Sequence, residues 1–68
     1  MLNKPLIPER LTWSVLPDGS RYEVWRTPMV KARYHVYLFV NDTEVGKHPF
    51  DSETTAREFF EKRVEERA

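Results

Sequence analysis

Residues 33–40 read Arg33-Tyr34-His35-Val36-Tyr37-Leu38-Phe39-Val40. Side chains alternate across a strand with period two. One face of this strand is therefore Tyr34, Val36, Leu38 and Val40, an ordinary core set. The other is Arg33, His35, Tyr37 and Phe39, which mixes cations with aromatics. A chain of 68 residues has room for one sheet and one helix to cover it. The second face is then expected to lack a partner within the monomer.

The neighbouring segments extend the pattern. Residues 10–16 alternate, with Leu11, Trp13 and Val15 on one side and Arg10, Thr12 and Ser14 on the other. Pro17-Asp18-Gly19-Ser20 is a turn, because proline presets the first position and glycine accepts positive φ. Residues 21–27 return as a strand. Tyr22, Val24 and the Arg26 stem belong to its core side, and Arg21, Glu23, Trp25 and Thr27 to its outer side. A loop over 28–32 leads into the strand at 33–40. Asn41-Asp42 then marks a tight hairpin, since both residues tolerate left-handed backbone. Residues 44–50 form a last strand weakened by Gly46 and Pro49, which suits a sheet edge.

Residues 52–67 read as a helix. Asp51 or Ser52 supplies a capping oxygen, and Glu53 sits in the first turn, where a negative charge complements the helix dipole. Ala56, Phe59, Phe60 and Val64 make one apolar stripe at helical spacing. Glu53–Arg57, Glu58–Lys62 and Lys62–Glu66 are i,i+4 pairs on the solvated side. The helix must lie on the sheet, giving β-β-β-β-α, an α+β sandwich of two layers. Residues 1–9, with Pro5 and Pro8, read as an extended arm with Leu6 and Ile7 tucked against a single domain spanning 1–68.

Composition narrows the function. The chain has no cysteine, so it has neither a disulfide framework nor a thiolate metal site. That fits a reducing compartment and an expected cytoplasmic location. No apolar run reaches the length of a membrane span, and the proline-rich start does not read as a signal peptide. Net charge is zero but uneven: residues 1–40 carry +3 and residues 41–68 carry −3. A dedicated nucleic-acid binder is usually more basic.

Catalytic and cofactor sites find no support in these residues. The two histidines, His35 and His48, fall on different strands, whereas zinc needs three or four convergent ligands. No serine sits in a nucleophile-elbow context, and two glycines do not make a phosphate-cradling loop. Glu58, Glu61, Glu65 and Glu66 alternate with basic residues, as on a solvated helix face. So short a chain also leaves little room for a small-molecule pocket. A non-enzymatic protein with no cofactor, no metal, no small-molecule substrate and no membrane partner is expected.

The outer sheet face collects Thr12, Ser14, Arg21, Trp25, Arg33, His35, Tyr37 and Phe39, with Glu23 among them. The partner-binding set is expected to be Arg21, Trp25, Arg33, His35, Tyr37 and Phe39. Aromatics and arginines on a sheet can stack bases and pair phosphates or read guanine in the major groove. The same residue types also anchor protein interfaces. A bland alternative is that Trp25, Tyr37 and Phe39 pack on one another as cross-strand pairs, with the N-terminal arm folded over them. Homodimerisation through this face is a further alternative. Should the sheet face not bind, the acidic helix face of Glu58, Glu61 and Glu65 is the next candidate.

Two resemblances bear on the choice. Three strands followed by Phe50-Asp51-Ser52-Glu53-Thr54-Thr55-Ala56-Arg57-Glu58-Phe59-Phe60 resemble the arm-type DNA-binding domain of phage and transposon integrases and the related plant ethylene-response-factor domain. The likeness covers about residues 21–64 and implies a sheet face in the major groove, with contacts from Arg21, Trp25, Arg33, His35 and Tyr37. The chain also resembles small phage-encoded inhibitors, anti-CRISPR proteins among them, in length, neutrality and the style of Val40-Asn41-Asp42-Thr43-Glu44-Val45-Gly46 running into Phe50-Asp51-Ser52. That likeness implies a surface that blocks a protein complex of the host. Charge neutrality removes the counterion release that drives DNA affinity, so a protein partner is preferred and DNA is the alternative.

Overall fold

The Pro17–Ser20 turn sets the first hairpin. Gly19 takes φ 89°, a left-handed value that costs a residue with a Cβ about 1–2 kcal/mol. Its amide donates to the Leu16 carbonyl (2.9 Å), and the Leu16 amide donates to the Ser20 carbonyl (2.7 Å). Asp18 Oδ1 accepts from both the Ser20 amide (2.9 Å) and the Ser20 hydroxyl (2.5 Å). The strands so joined begin a four-stranded antiparallel sheet in the order β1-β2-β3-β4. Its members are β1 (Glu9–Val15), β2 (Arg21–Arg26), β3 (Tyr34–Val40) and β4 (Thr43–Phe50), followed by one helix, α1 (Glu53–Arg67). This computed structural model describes residues 7–28 and 31–67.

The α+β expectation holds element by element. Asn41 and Asp42 adopt φ 52° and 64°, the backbone that a two-residue turn matched to sheet twist demands. β4 is an edge strand, as Gly46 and Pro49 suggested. The Ser52 hydroxyl accepts from the Thr55 amide (3.2 Å), so Ser52 rather than Asp51 caps α1. Of the expected i,i+4 pairs, Glu53–Arg57 is formed at 2.7 Å. Glu58–Lys62 and Lys62–Glu66 are not among the ion pairs of the described residues, and Arg63 reaches Glu66 instead.

α1 lies across β2, β3 and β4. The core comprises Leu16, Tyr22, Val24, Val36, Ala56 and Phe60, flanked by Leu11, Tyr34, Leu38, Phe50, Phe59 and Val64. Val24 and Val36 are directly opposite in register and fully buried. Each stabilises the sheet–helix layer by about 1.5–3 kcal/mol relative to exposure. Phe59 tilts against Phe50 (5.2 Å between centroids) and His48 (4.7 Å), and the Arg63 guanidinium lies 4.8 Å from its ring.

Four expectations need correction. Val40 is exposed at the end of β3 rather than part of the core. A bulge between Arg10 and Thr12 inserts Leu11 and reverses the alternation of β1 from Thr12 onward. Thr12 and Ser14 therefore pair with Val24 and Tyr22 on the helix side, while Trp13 and Val15 pair with Glu23 and Arg21 on the outer face. Leu11 keeps the core side that the alternation gave it, so the exchange of faces begins at Thr12. Arg33 precedes β3 instead of opening it. Ile7 is exposed rather than tucked in. The rest of the expected arm, Leu6 included, and the middle of the 28–32 loop lie outside the described residues.

Candidate functional site

The face of the sheet opposite α1 is built by register. Arg10, Trp13 and Val15 of β1 sit beside Trp25, Glu23 and Arg21 of β2. These adjoin His35, Tyr37 and Phe39 of β3, and beyond them Pro49, Lys47 and Glu44 of β4. A second bulge at Leu38/Phe39 brings Glu44 opposite Phe39. Val45, in the stretch where β4 has the extra residue, is exposed.

Glu23 organises the centre. It is 3% exposed, an unusual place for a carboxylate unless its oxygens are satisfied. Oε1 accepts from Trp25 Nε1 at 2.7 Å. Oε2 accepts from Arg21 Nε at 2.6 Å and from Arg10 at 3.2 Å. Burial pushes the Glu23 carboxyl up, but the bonds from Trp25, Arg21 and Arg10 outweigh it and hold the group below its ordinary value. Arg21 reaches on to Asp42 at 3.2 Å and also lies 4.8 Å from the centroid of Phe39. Arg10 lies 3.9 Å from the centroid of Trp13. The arginines of this face are thus held by carboxylates and rings. Arg26, on the helix side, is likewise paired, with Glu9.

The aromatics run beside this cluster. Trp25 and Tyr37 meet edge to face, 6.5 Å apart at 82°. Tyr37 stacks on His35 at 5.8 Å and 17°, and meets Phe39 at 6.1 Å and 44°. Trp25, Tyr37 and Phe39 are half-buried. With Pro8, Thr27 and Glu44 they line a cleft of about 240 Å³. Burial raises the Tyr37 hydroxyl above its ordinary value, and the nearby Glu44 carboxylate adds to this.

The expected binding residues separate into three groups. Trp25, Tyr37 and Phe39 come together in the cleft, with Arg21 bordering Phe39. His35 lies on the right face but is buried at 5% exposure, with Nδ1 2.7 Å from Thr27 Oγ1. The Thr27 hydroxyl donates its one proton to the Ala32 carbonyl (3.1 Å), so His35 Nδ1–H is the donor to Thr27 in the neutral ring. Burial is the main cause that holds the His35 imidazole below its ordinary value. Lys47 acts in the same direction and Glu44 against it. This histidine braces β3 against the end of β2 and offers little ring to a partner. Arg33 is exposed and shares a surface depression with Arg26, Pro28 and Tyr34 rather than lining the cleft.

Sequence reasoning placed Trp13 and Val15 on the core side. At 52% and 63% exposure they extend the apolar part of the outer face onto the edge strand. Only the bulge puts them there, and nothing in Leu11-Thr12-Trp13-Ser14-Val15 marks one, since those five residues alternate regularly. Among the described residues no three metal-ligating side chains converge, and no helix is long and apolar enough to cross a membrane. No family model matches this chain, and no curated protein or solved structure matches it.

Proposed function

We propose that the chain is a small non-enzymatic binding domain that engages a protein partner through the sheet face opposite α1. The observation that carries this reading is the division of labour on that face. Its arginines are occupied: Arg10 and Arg21 are committed to Glu23, and Arg21 also to Asp42. Its aromatics keep surface to offer: Trp13 is half exposed even with Arg10 against it, and Trp25, Tyr37 and Phe39 keep part of their surface in water. Lys47, in register on the same face, is exposed and in no ion pair among the described residues. Phosphate recognition, however, needs several free cations, whereas interface anchoring needs partly exposed aromatic rings that a partner can finish burying. The same balance favours an inhibitor or modulator of a protein complex over a sheet that reads DNA.

The test is comparative affinity enrichment from cells of the source organism. The wild-type chain is run beside Tyr37→Ala and Trp13→Ser on the sheet face and Glu61→Lys on the helix, each checked for folding by circular dichroism. Proteins retained by wild type and Glu61→Lys but lost with both sheet-face variants support the reading. Loss with Glu61→Lys alone moves the interface to the helix. A duplex titration completes the test. Affinity that falls steeply with salt and is lost in Arg21→Ala would put the DNA reading in its place.

A further inference from the structure

Two rings of the outer face already hold cations. The Arg10 guanidinium lies over Trp13 and the Arg21 guanidinium over Phe39. The cleft between Trp25, Tyr37 and Phe39 has the same ring chemistry with no cation seated against Trp25 or Tyr37 among the described residues. Its rings cannot form a flat stack, because Trp25 stands at 82° to Tyr37 and Phe39 at 44°. They wall a concavity instead. Glu44 stands in its lining, opposite Phe39 in register, and forms no ion pair among the described residues. Two basic residues flank the cleft in register without lining it: Lys47 opposite Tyr37, and Arg21 opposite Phe39, whose charge is taken up by Glu23 and Asp42. One carboxylate in the lining and aromatic walls favour a positively charged, weakly hydrated group over a neutral one of equal shape, because the ring quadrupoles and the Glu44 carboxylate both attract it.

We propose that this cleft seats the cationic end of a partner's basic side chain, with Trp25 and Tyr37 as walls and Glu44 as counter-ion. The proposal rests on the protein-binding reading above and specifies what the partner inserts. The cleft is wide enough for an ammonium or guanidinium head and too small for a folded element.

Choline and its neutral isostere 3,3-dimethyl-1-butanol test it, titrated into the nitrogen-15-labelled full chain and followed by NMR. The Trp25 indole N–H, bonded to Glu23, and the Trp13 indole N–H report separately on the cleft and the edge strand. Choline is expected to shift the Trp25 signal saturably and to bind at least about fivefold more tightly than the neutral isostere. Glu44→Gln should narrow that ratio, and Glu61→Gln on the helix should leave it unchanged. Equal affinity for the two probes, no saturable shift with either, or shifts at Trp13 alone would overturn the proposal. If choline fails while Tyr37→Ala still abolishes partner enrichment, the sheet-face interface stands and the cationic seat falls. If choline binds as expected while enrichment ignores Tyr37→Ala, the seat stands and the interface reading falls.

Discussion

Replacing Glu23 by glutamine removes one charge and almost no volume, and its cost follows from the three bonds that the carboxylate accepts. Trp25 Nε1 can keep a partner if the glutamine oxygen faces it. The glutamine NH2 then faces Arg21 and Arg10, donor against donors. A hydrogen bond to a charged group contributes about 1.5–3 kcal/mol, and breaking a fully buried ion pair costs about 3–5 kcal/mol. Arg21 and Arg10 retain 27% and 39% of their side-chain exposure, so water recovers part of that loss. The expected cost is about 2 kcal/mol, dominated by the Arg21 bond. A domain of this size has a net stability of roughly 3–5 kcal/mol, so about half of it goes. With a urea m-value of about 1 kcal/mol per molar for a small domain, the midpoint should fall by roughly 2 M.

The same substitution has a signature in pH. The folded Glu23 pKa lies below its ordinary value near 4.5. Its contribution is therefore fully present above 4.5 and is lost as pH falls toward the folded value. Wild type should lose stability in that window, and Glu23→Gln should lose less of it there. Urea melts at neutral pH and across the acid range, followed by far-ultraviolet circular dichroism, measure both. A cost under about 0.5 kcal/mol, the size expected of surface substitutions, together with an unchanged acid limb would refute the view that Glu23 holds this face together.

His35 gives a separate window. Its folded pKa is depressed, so stability should begin to fall as pH drops below its ordinary 6.5 and stop falling below the folded value. An NMR titration of the His35 imidazole with a midpoint at or above 6.5 would contradict this. Gly19→Ala forces a Cβ into φ 89° although nothing among the described residues crowds it, and should cost about 1–2 kcal/mol in a urea melt from backbone strain alone. Trp13→Ser removes a half-exposed ring and its contact with Arg10. It should change stability by no more than about 1 kcal/mol yet weaken partner binding in a calorimetric titration.

The order of elements was legible because each local signal agreed with the next. Pro17-Asp18-Gly19, Asn41-Asp42 and Ser52 are chemical instructions for a turn, a hairpin and a cap, and each does that work here. The facing Val24 and Val36 followed from alternation on two strands with no bulge between them. Alternation alone carries β1 straight through Leu11, and one inserted residue exchanges the two faces of every residue on one side of it. On β3, alternation places His35, Tyr37 and Phe39 on the outer face as they lie, but not Arg33, which precedes the strand, and it does not give their roles. A histidine on a strand carries no local mark of whether it will be buried, and His35 is covered where Thr27 bonds its ring, Tyr37 stacks on it, and Trp25 and Pro49 flank it in register. The role of Glu23 was likewise invisible as a single acidic letter among cations. It became the hub because register put Arg21, Arg10 and Trp25 within bonding reach at once.

The central claim is that partly exposed rings on the sheet face anchor a protein partner, and Tyr37 is the ring that links the rest. Calorimetric titration of the enriched partner against wild type and Tyr37→Ala tests it most directly. An anchor of this kind contributes about 2 kcal/mol or more, so the dissociation constant should rise by roughly 30-fold. Equal affinities for wild type and a folded Tyr37→Ala would contradict the claim.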